Sequence, residues 1–413
     1  MSSVNIAIIG TGNMARTMAQ TIRKVRHAKL YAVVSRDPER ARAFAREFHA
    51  RRFYGSVGEM VQDRKVQLVY IATPHTEHYQ AAKICLLNGK NCLIEKPFTV
   101  NAEQAQELLS IAAGNHLLAA EAIWTRYMPF VQTMKQMLDS KLIGEPVQLS
   151  ASLTYNIRQV PRLTDPALAG GALLDLGVYP LNFASMLFGD DVIRVNASCS
   201  YTENHLDEQD SISLIYRDGK VANLSASMVG VSDNRGEIIG TKGYMVIENI
   251  NNYRSMSVYD ARGKKIRFVK APRQFNGYEY ELQQVIEALE SGQTECAAMP
   301  SSEILCMMHM LDFIRGEMGI TYPFEKKERP AIPTQAQEER TEPEKEQEDE
   351  QSRAVADATE EAFLTHEAQK ALENGAGDTA PGEDDPMNGQ VISSPDEEIR
   401  VDPKEPADGD ENP

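Results

Sequence analysis

The chain is predicted to fold as an α/β protein: an N-terminal parallel sheet covered by helices, then an α/β part built on a large, mostly antiparallel open sheet, then a disordered acidic tail. Three observations carry this. Residues 4–98 alternate short apolar strands with amphipathic helices, the texture of βαβ units. From about Glu145 strand-like segments follow one another without intervening helices, which points to antiparallel pairing. Beyond Phe324 the chain turns to Glu, Pro, Gln, Asp and Ala with few aromatics, a composition that buries too little to fold. The 413 residues exceed one ordinary core and divide at 1–122, 123–325 and 326–413.

The first strand, 6–9, passes through a glycine turn into a helix over about 14–25. Strand 30–34 and a helix over 38–48 repeat the unit. Strand 67–72 leads to a helix over 77–88 that Gly89 closes at its C′ position. Strand 91–95 follows, and 117–120 adds one more. In the second part, 147–153, 193–201, 211–216, 221–228, 237–240, 244–248 and 255–260 read as strands, and helices return at 278–290 and 302–318.

Net charge is −17, and the segment from Lys326 onward accounts for all of it, with 9 basic and 26 acidic residues. The preceding part is neutral and gives no charge argument for nucleic acid or an anionic membrane. No basic leader precedes the first strand, and no apolar run approaches the roughly twenty residues of a membrane span. Five scattered cysteines without CxxC spacing fit a reducing compartment. A cytoplasmic protein is expected.

Gly10-Thr11-Gly12-Asn13-Met14-Ala15 is a GxGxxA turn between a strand and a helix, the dinucleotide fingerprint of a Rossmann fold. The first glycine permits the turn, the second lets backbone approach a pyrophosphate, and Ala15 allows close packing. An NAD site usually has an acid at the end of the second strand; here Ser35 and Arg36 stand there, with Asp37 next. A hydroxyl and a guanidinium suit a 2′-phosphate. NADP(H) is therefore favoured, NAD(H) is the alternative, and no metal is expected.

Glu95-Lys96-Pro97 closes the 91–95 strand, and the proline gives the lysine a fixed direction. Lys96 is a candidate to orient a substrate oxygen or assist a proton transfer; surface pairing with Glu95 is the plain alternative. Asp175 and Tyr179 are four apart, hence on one helix face. Tyr179 would exchange a proton with a substrate hydroxyl, Lys96 would stabilise the phenolate, and Asp175 would hold them. Thr73-Pro74-His75-Thr76-Glu77-His78 has HxxH spacing and no third ligand in sight, so these histidines are expected to cap a helix and line the cofactor pocket. Neither GxSxG nor a P-loop lysine occurs, which leaves acyl and phosphoryl transfer without support.

The order GxGxxA, ATPHxxH, EKP and GGALLDLGVYP, joined by Glu121-Ala122-Ile123-Trp124-Thr125-Arg126, resembles the glucose-fructose oxidoreductase/inositol dehydrogenase (Gfo/Idh/MocA) family over about 4–324, and most closely its dimeric dihydrodiol dehydrogenase branch. The resemblance implies a Rossmann domain, an open-sheet domain that often forms the oligomer interface, Lys96 and Tyr179 as reacting groups with Asp175 beside them, and Trp124 and Arg126 near the nicotinamide. It also makes Lys96–Pro97 a candidate cis bond. Asp175, Gly177, Tyr179 and Asn182 stand where inositol dehydrogenases carry DxGxHxxD, which argues against an inositol enzyme. The expected activity is NADP(H)-dependent hydride transfer to or from a sugar, polyol, cyclic diol or related carbonyl, in a homodimer or tetramer without nucleic-acid or membrane partners. The alternatives are an NAD-retaining redox glycosidase and a non-catalytic dinucleotide sensor. Trp124, Tyr155, Arg162, Phe275 and Tyr278 are the candidate substrate contacts.

Overall fold

The computed structural model describes residues 3–325; the tail expected to be disordered, 326–413, lies outside the described residues. The first part runs β1 (Val4–Ile9), α1 (Asn13–Ile22), β2 (Ala28–Val34), α2 (Pro38–Phe48), β3 (Arg52–Tyr54), α3 (Val57–Val61), β4 (Leu68–Ile71), α4 (His75–Leu87), β5 (Asn91–Glu95), α5 (Ala102–Gly114) and β6 (Ala119–Ala122). Its six strands lie in the order β3-β2-β1-β4-β5-β6, and every neighbouring pair is parallel. Ile6, Ala7 and Ile8 of β1, and Cys92, Leu93 and Ile94 of β5, have no exposed surface. Helices on both faces explain why these strands read as continuous apolar runs rather than as alternation.

The second part runs α6 (Phe130–Asp139), β7 (Pro146–Thr154), α7 (Val178–Phe188), β8 (Val192–Tyr201), β9 (Asp207–Tyr216), β10 (Val221–Ser227), β11 (Gly236–Gly240), β12 (Gly243–Glu248), β13 (Ser255–Asp260), β14 (Lys265–Lys270), α8 (Glu279–Glu290) and α9 (Ser301–Glu317). Its eight strands lie in the order β14-β13-β12-β11-β7-β10-β9-β8. All pairs are antiparallel except β7 with β10. The expectation of strands without an intervening helix fails at one place: α7 separates β7 from β8. That helix is apolar almost all round and buried along nearly its whole length, so it covers the inner face of the sheet. Among the described residues, Pro166–Phe188 is long and apolar enough to cross a membrane, and 94% of its apolar window is buried within the fold.

Other differences have local causes. β6 lies two residues beyond the expected 117–120, because Asn115, His116 and Leu117 still bond back to α5. β14 was not foreseen; it is an edge strand exposed along nearly its whole length, so no burial pattern marks it.

Gly10 carries the tightest demand in the first sheet. Its φ is +111°, and a Cβ there would sit 2.3 Å from the Ala72 carbonyl oxygen at the end of β4. Gly10→Ala is expected to cost on the order of 2–4 kcal/mol. Thermal denaturation checks this: an unchanged Tm would contradict the close approach.

Candidate active site

The site forms where the carboxyl ends of β1, β4 and β5 meet the entry to α7, the location expected of a doubly wound sheet. Gly12 is the N-cap of α1 and contributes no side-chain cap. No atom lies within 4 Å of where its Cβ would be, and the first turn holds no acid. The amides at this helix end are thus free to bind an anion. Thr11 and Asn13 flank Gly12, and Met14 follows with its sulfur 4.0 Å from the Tyr278 hydroxyl.

At the end of β2, Asp37 caps α2, its carboxylate accepting from the amides of Glu39 and Arg40. The Ser35 hydroxyl accepts from the Asp37 amide. Arg36 is 86% exposed, with only a 3.7 Å approach to Glu77. Just after β4, the Thr73 hydroxyl is buried without a hydrogen-bond partner. An open helix N-terminus and an orphaned buried hydroxyl are features a dinucleotide fits: the α1 amides would hold its phosphates, and Thr73 would bond its nicotinamide half.

Pro74 occupies the N-cap of α4 with no side-chain cap bond, so the histidines do not cap that helix as expected. Instead His75 Nδ1 lies 3.0 Å from the Ala169 carbonyl oxygen, and His78 lies between the carbonyl oxygens of Pro97 and Thr73 at 2.9 and 3.0 Å. Burial pushes His75 down to about 3 and His78 to about 4, although the two carbonyl contacts pull His78 the other way. We side with burial, since Lys96 and Arg162 add positive charge nearby; neutral His78 then donates to only one of the two carbonyls. Among the described residues no cluster of three metal-ligating side chains occurs.

The Lys96–Pro97 bond is cis. Lys96 Nζ donates to the Asp175 backbone oxygen at 2.6 Å and to its carboxylate at 3.0 Å. The same ammonium sits 5.2 Å from the Tyr179 ring centre. The Tyr179 hydroxyl accepts from the Trp124 indole at 3.2 Å, and Trp124 stacks on Tyr278 at 4.3 Å. Glu95 turns away from the surface, 7% exposed, and accepts from the Tyr70 hydroxyl.

Asp175 lies not in an α-helix but in a π turn, Leu173–Gly177, that leads into α7. Asp207 accepts from the Leu173 amide at 2.5 Å and so anchors this wider turn. Asp175 is 5% exposed and also meets Arg162 at 3.1 Å and His75 at 3.8 Å. Burial would raise its pKa, but the charges of Lys96 and Arg162 outweigh that and hold it well below the usual carboxylate range. Burial above all, with Tyr278 and Glu95 adding, raises Tyr179 well above an ordinary phenol. The centre is a buried ion pair beside a protonated tyrosine, which can orient an oxygen and give it a proton.

Arg126 bonds Asn182 at 2.7 Å, Glu303 at 2.9 Å and the Ala298 oxygen at 3.2 Å, tying α7 to α9. Arg162 joins the centre and keeps 41% of its side chain exposed. Tyr155 accepts from Asn251 at 3.3 Å. Phe275 is half-exposed, with the Lys24 ammonium 5.5 Å over its ring. The sequence reading missed Asp207 and Tyr70, which lie in ordinary strand patterns. It also missed Gly277, which stands at φ +95°, where a Cβ would come within 2.4 Å of the Trp124 ring.

Residues 4–122 match the oxidoreductase family with an NAD-binding Rossmann fold, and residues 131–246 match the GFO/IDH/MocA C-terminal domain. The chain belongs to the Gfo/Idh/MocA family of oxidoreductases, which work with a nicotinamide dinucleotide. Within it the chain matches the dihydrodiol dehydrogenase branch. It is 33% identical over 317 residues to the trans-1,2-dihydrobenzene-1,2-diol dehydrogenase of Bos taurus, covering 75% of this chain and 94% of that one. KijD10, a 3-ketoreductase from Actinomadura kijaniata solved with NADP, has the same fold at 23% identity and a TM-score of 0.69, covering 77% of this chain and 98% of that one. The aldose-aldose oxidoreductase of Caulobacter crescentus superposes at 21% identity and a TM-score of 0.70, covering 76% and 97%.

Two predictions follow from this geometry. Arg126→Leu leaves Glu303 with only the Ser185 hydroxyl as partner and is expected to cost about 3–5 kcal/mol, read as a lower urea midpoint. His75 and His78 are neutral when folded, so their contribution is present above the unfolded pKa of roughly 6.5 and is lost as pH falls towards 4. A His75→Gln, His78→Gln variant is therefore expected to lose less stability than the parent between pH 6.5 and 4. Equal losses would contradict the neutral assignment.

Proposed function

We propose that this chain is an NADP(H)-preferring dehydrogenase or reductase acting on a sugar, polyol, cyclic diol or related carbonyl. The observation that carries the reading is Lys96, at the end of β5, engaged with Asp175 and lying over the Tyr179 ring. Residues 1–122 would hold the dinucleotide, and 123–325 the substrate and the subunit contact. The named activities of the relatives, a diol dehydrogenase and a sugar ketoreductase, support this substrate range.

When bound, the nicotinamide ring supplies the hydride acceptor or donor. Tyr179 gives its proton to the substrate oxygen as alkoxide character develops there. Its high pKa keeps that proton in place until then. Lys96 lends positive charge to the phenolate left behind, and Asp175 fixes the lysine. Oxidation runs the same transfers backward. Trp124 and Tyr278 would form an aromatic wall, and Arg162 and Tyr155 would offer polar contacts to a hydroxylated substrate.

The cofactor preference rests on Ser35 and exposed Arg36, because Asp37 is committed to its helix cap and does not offer its carboxylate to a ribose. Subunits would pair through the outer face of the eight-stranded sheet, where partly buried Tyr244 and Tyr259 stack at 4.7 Å beside Ile239 and Val246. A monomeric mass by sedimentation would remove that proposal.

The direct experiment follows the reduced-nicotinamide absorbance with both dinucleotides across polyols, cyclic diols, keto-sugars and dicarbonyls. Lys96→Met and Tyr179→Phe should each lower kcat by about 10²–10⁴-fold. Arg36→Ala should lower kcat/KM for NADP(H) by about 10–100-fold with little change for NAD(H). Full turnover in both active-site variants would overturn the assigned roles.

A further inference from the structure

Glu121 is a lone acid in β6, between Ala120 and Ala122, and only 2% of it is exposed. It pairs with Ile94 of β5, two residues before Lys96. Burying a carboxyl is costly unless it is hydrogen-bonded, and an alanine would suit this place as it suits the neighbours. The carboxyl has a specific partner: it accepts from the Phe98 amide at 3.0 Å. Burial pushes its pKa up to about 7, and either protonation state keeps an oxygen lone pair for that amide.

The amide belongs to the peptide unit directly after Lys96-Pro97. β5 ends at Glu95, and residues 96–100 lie in no strand or helix. Pro97 has no N–H with which to extend the ladder. The Pro97 carbonyl and the Phe98 amide are the two ends of one peptide between buried residues, and such groups need partners. Among the described residues no backbone group bonds either end. Instead the carbonyl oxygen lies 2.9 Å from His78 Nδ1 of α4, and the amide donates to Glu121 of β6. One peptide is thus gripped from two sides by side chains of different elements. Glu121 is fixed in turn, since the Tyr127 hydroxyl donates to its backbone oxygen at 2.9 Å.

The lysine depends on that grip. Its ammonium meets the Asp175 backbone oxygen at 2.6 Å and the carboxylate at 3.0 Å, and stands 5.2 Å from the Tyr179 ring centre. A backbone shift of about 1 Å would carry both bonds beyond hydrogen-bonding distance. We propose that Glu121 is a positioning residue for the reaction: by holding the Phe98 amide it sets where Lys96 leaves β5, and so where the ammonium stands between Asp175 and Tyr179. Glu121 acts through Phe98 and Lys96, not on a reacting atom. This rests on the dehydrogenase reading given above.

The test is a set of Glu121 variants of the full chain, followed by nicotinamide-linked kinetics and calorimetric dinucleotide binding. Glu121→Met, apolar and similar in size, removes the acceptor. It should lower kcat by about 10–100-fold while the dinucleotide Kd changes by less than about threefold. Glu121→Gln keeps an oxygen for the Phe98 amide and should hold kcat within about threefold of the parent. Glu121→Ala, matching its strand neighbours, replaces the methionine variant if that one folds poorly. In a Lys96→Met background the loss caused by Glu121→Met should disappear, because two changes acting through one group are not additive. A merely structural role would instead lower thermal stability and leave kcat in place. An unchanged kcat in the methionine and alanine variants would overturn the proposal. So would equal losses in the glutamine and methionine variants, or a full loss that persists without Lys96. Absence of turnover in the parent chain would instead overturn the dehydrogenase reading, and the role of Glu121 with it.

Discussion

A lysine ammonium and an aspartate carboxylate, both nearly shut off from water, meet at 3.0 Å from positions 79 residues apart in the chain. Such a pair is favourable only when geometry and further hydrogen bonds offset the loss of hydration. Here the Asp175 backbone oxygen also accepts from the lysine, and Arg162 and His75 approach the same carboxylate. The pair therefore fixes where β5 ends relative to where α7 begins. Most other features of the site can be read as keeping that distance.

The π turn is one of them. Its wider winding presents the Asp175 carbonyl oxygen and carboxylate together to one ammonium, while Tyr179 offers its ring. Asp207 holds the start of that turn, and Gly171 leaves room for it, since a Cβ there would lie 2.3 Å from the Asp207 carboxylate. On the other side, Arg126 binds α7 to α9 through Asn182 and Glu303. Side chains outside the Lys96–Asp175 pair thus set its geometry.

Much of the first part was legible in the sequence. Its strands are buried on both faces and read as apolar runs, its turns carry glycine, and GxGxxA and EKP fall at strand ends where backbone geometry dictates residue type. Lys96, Asp175 and Tyr179 were singled out by the order of motifs along the chain, in which charged or phenolic groups stand in otherwise apolar segments. The same logic could have found Glu121, a lone acid in the small apolar strand Ala119–Ala122. What remained hidden depends on long-range partners. The bond from Arg126 to Glu303, far along the chain, has no mark in the sequence.

The Trp124–Tyr278 stack gives the molecule an optical property. The chain has a single tryptophan, and its indole donates to the Tyr179 hydroxyl while lying against a ring that Gly277 brings close. All tryptophan emission therefore originates within hydrogen-bonding distance of the Tyr179 hydroxyl. A reduced nicotinamide absorbs where indole emits, so a dinucleotide seated there would quench that light by energy transfer. The protein carries its own fluorescent probe beside Tyr179, with no second tryptophan to dilute the signal.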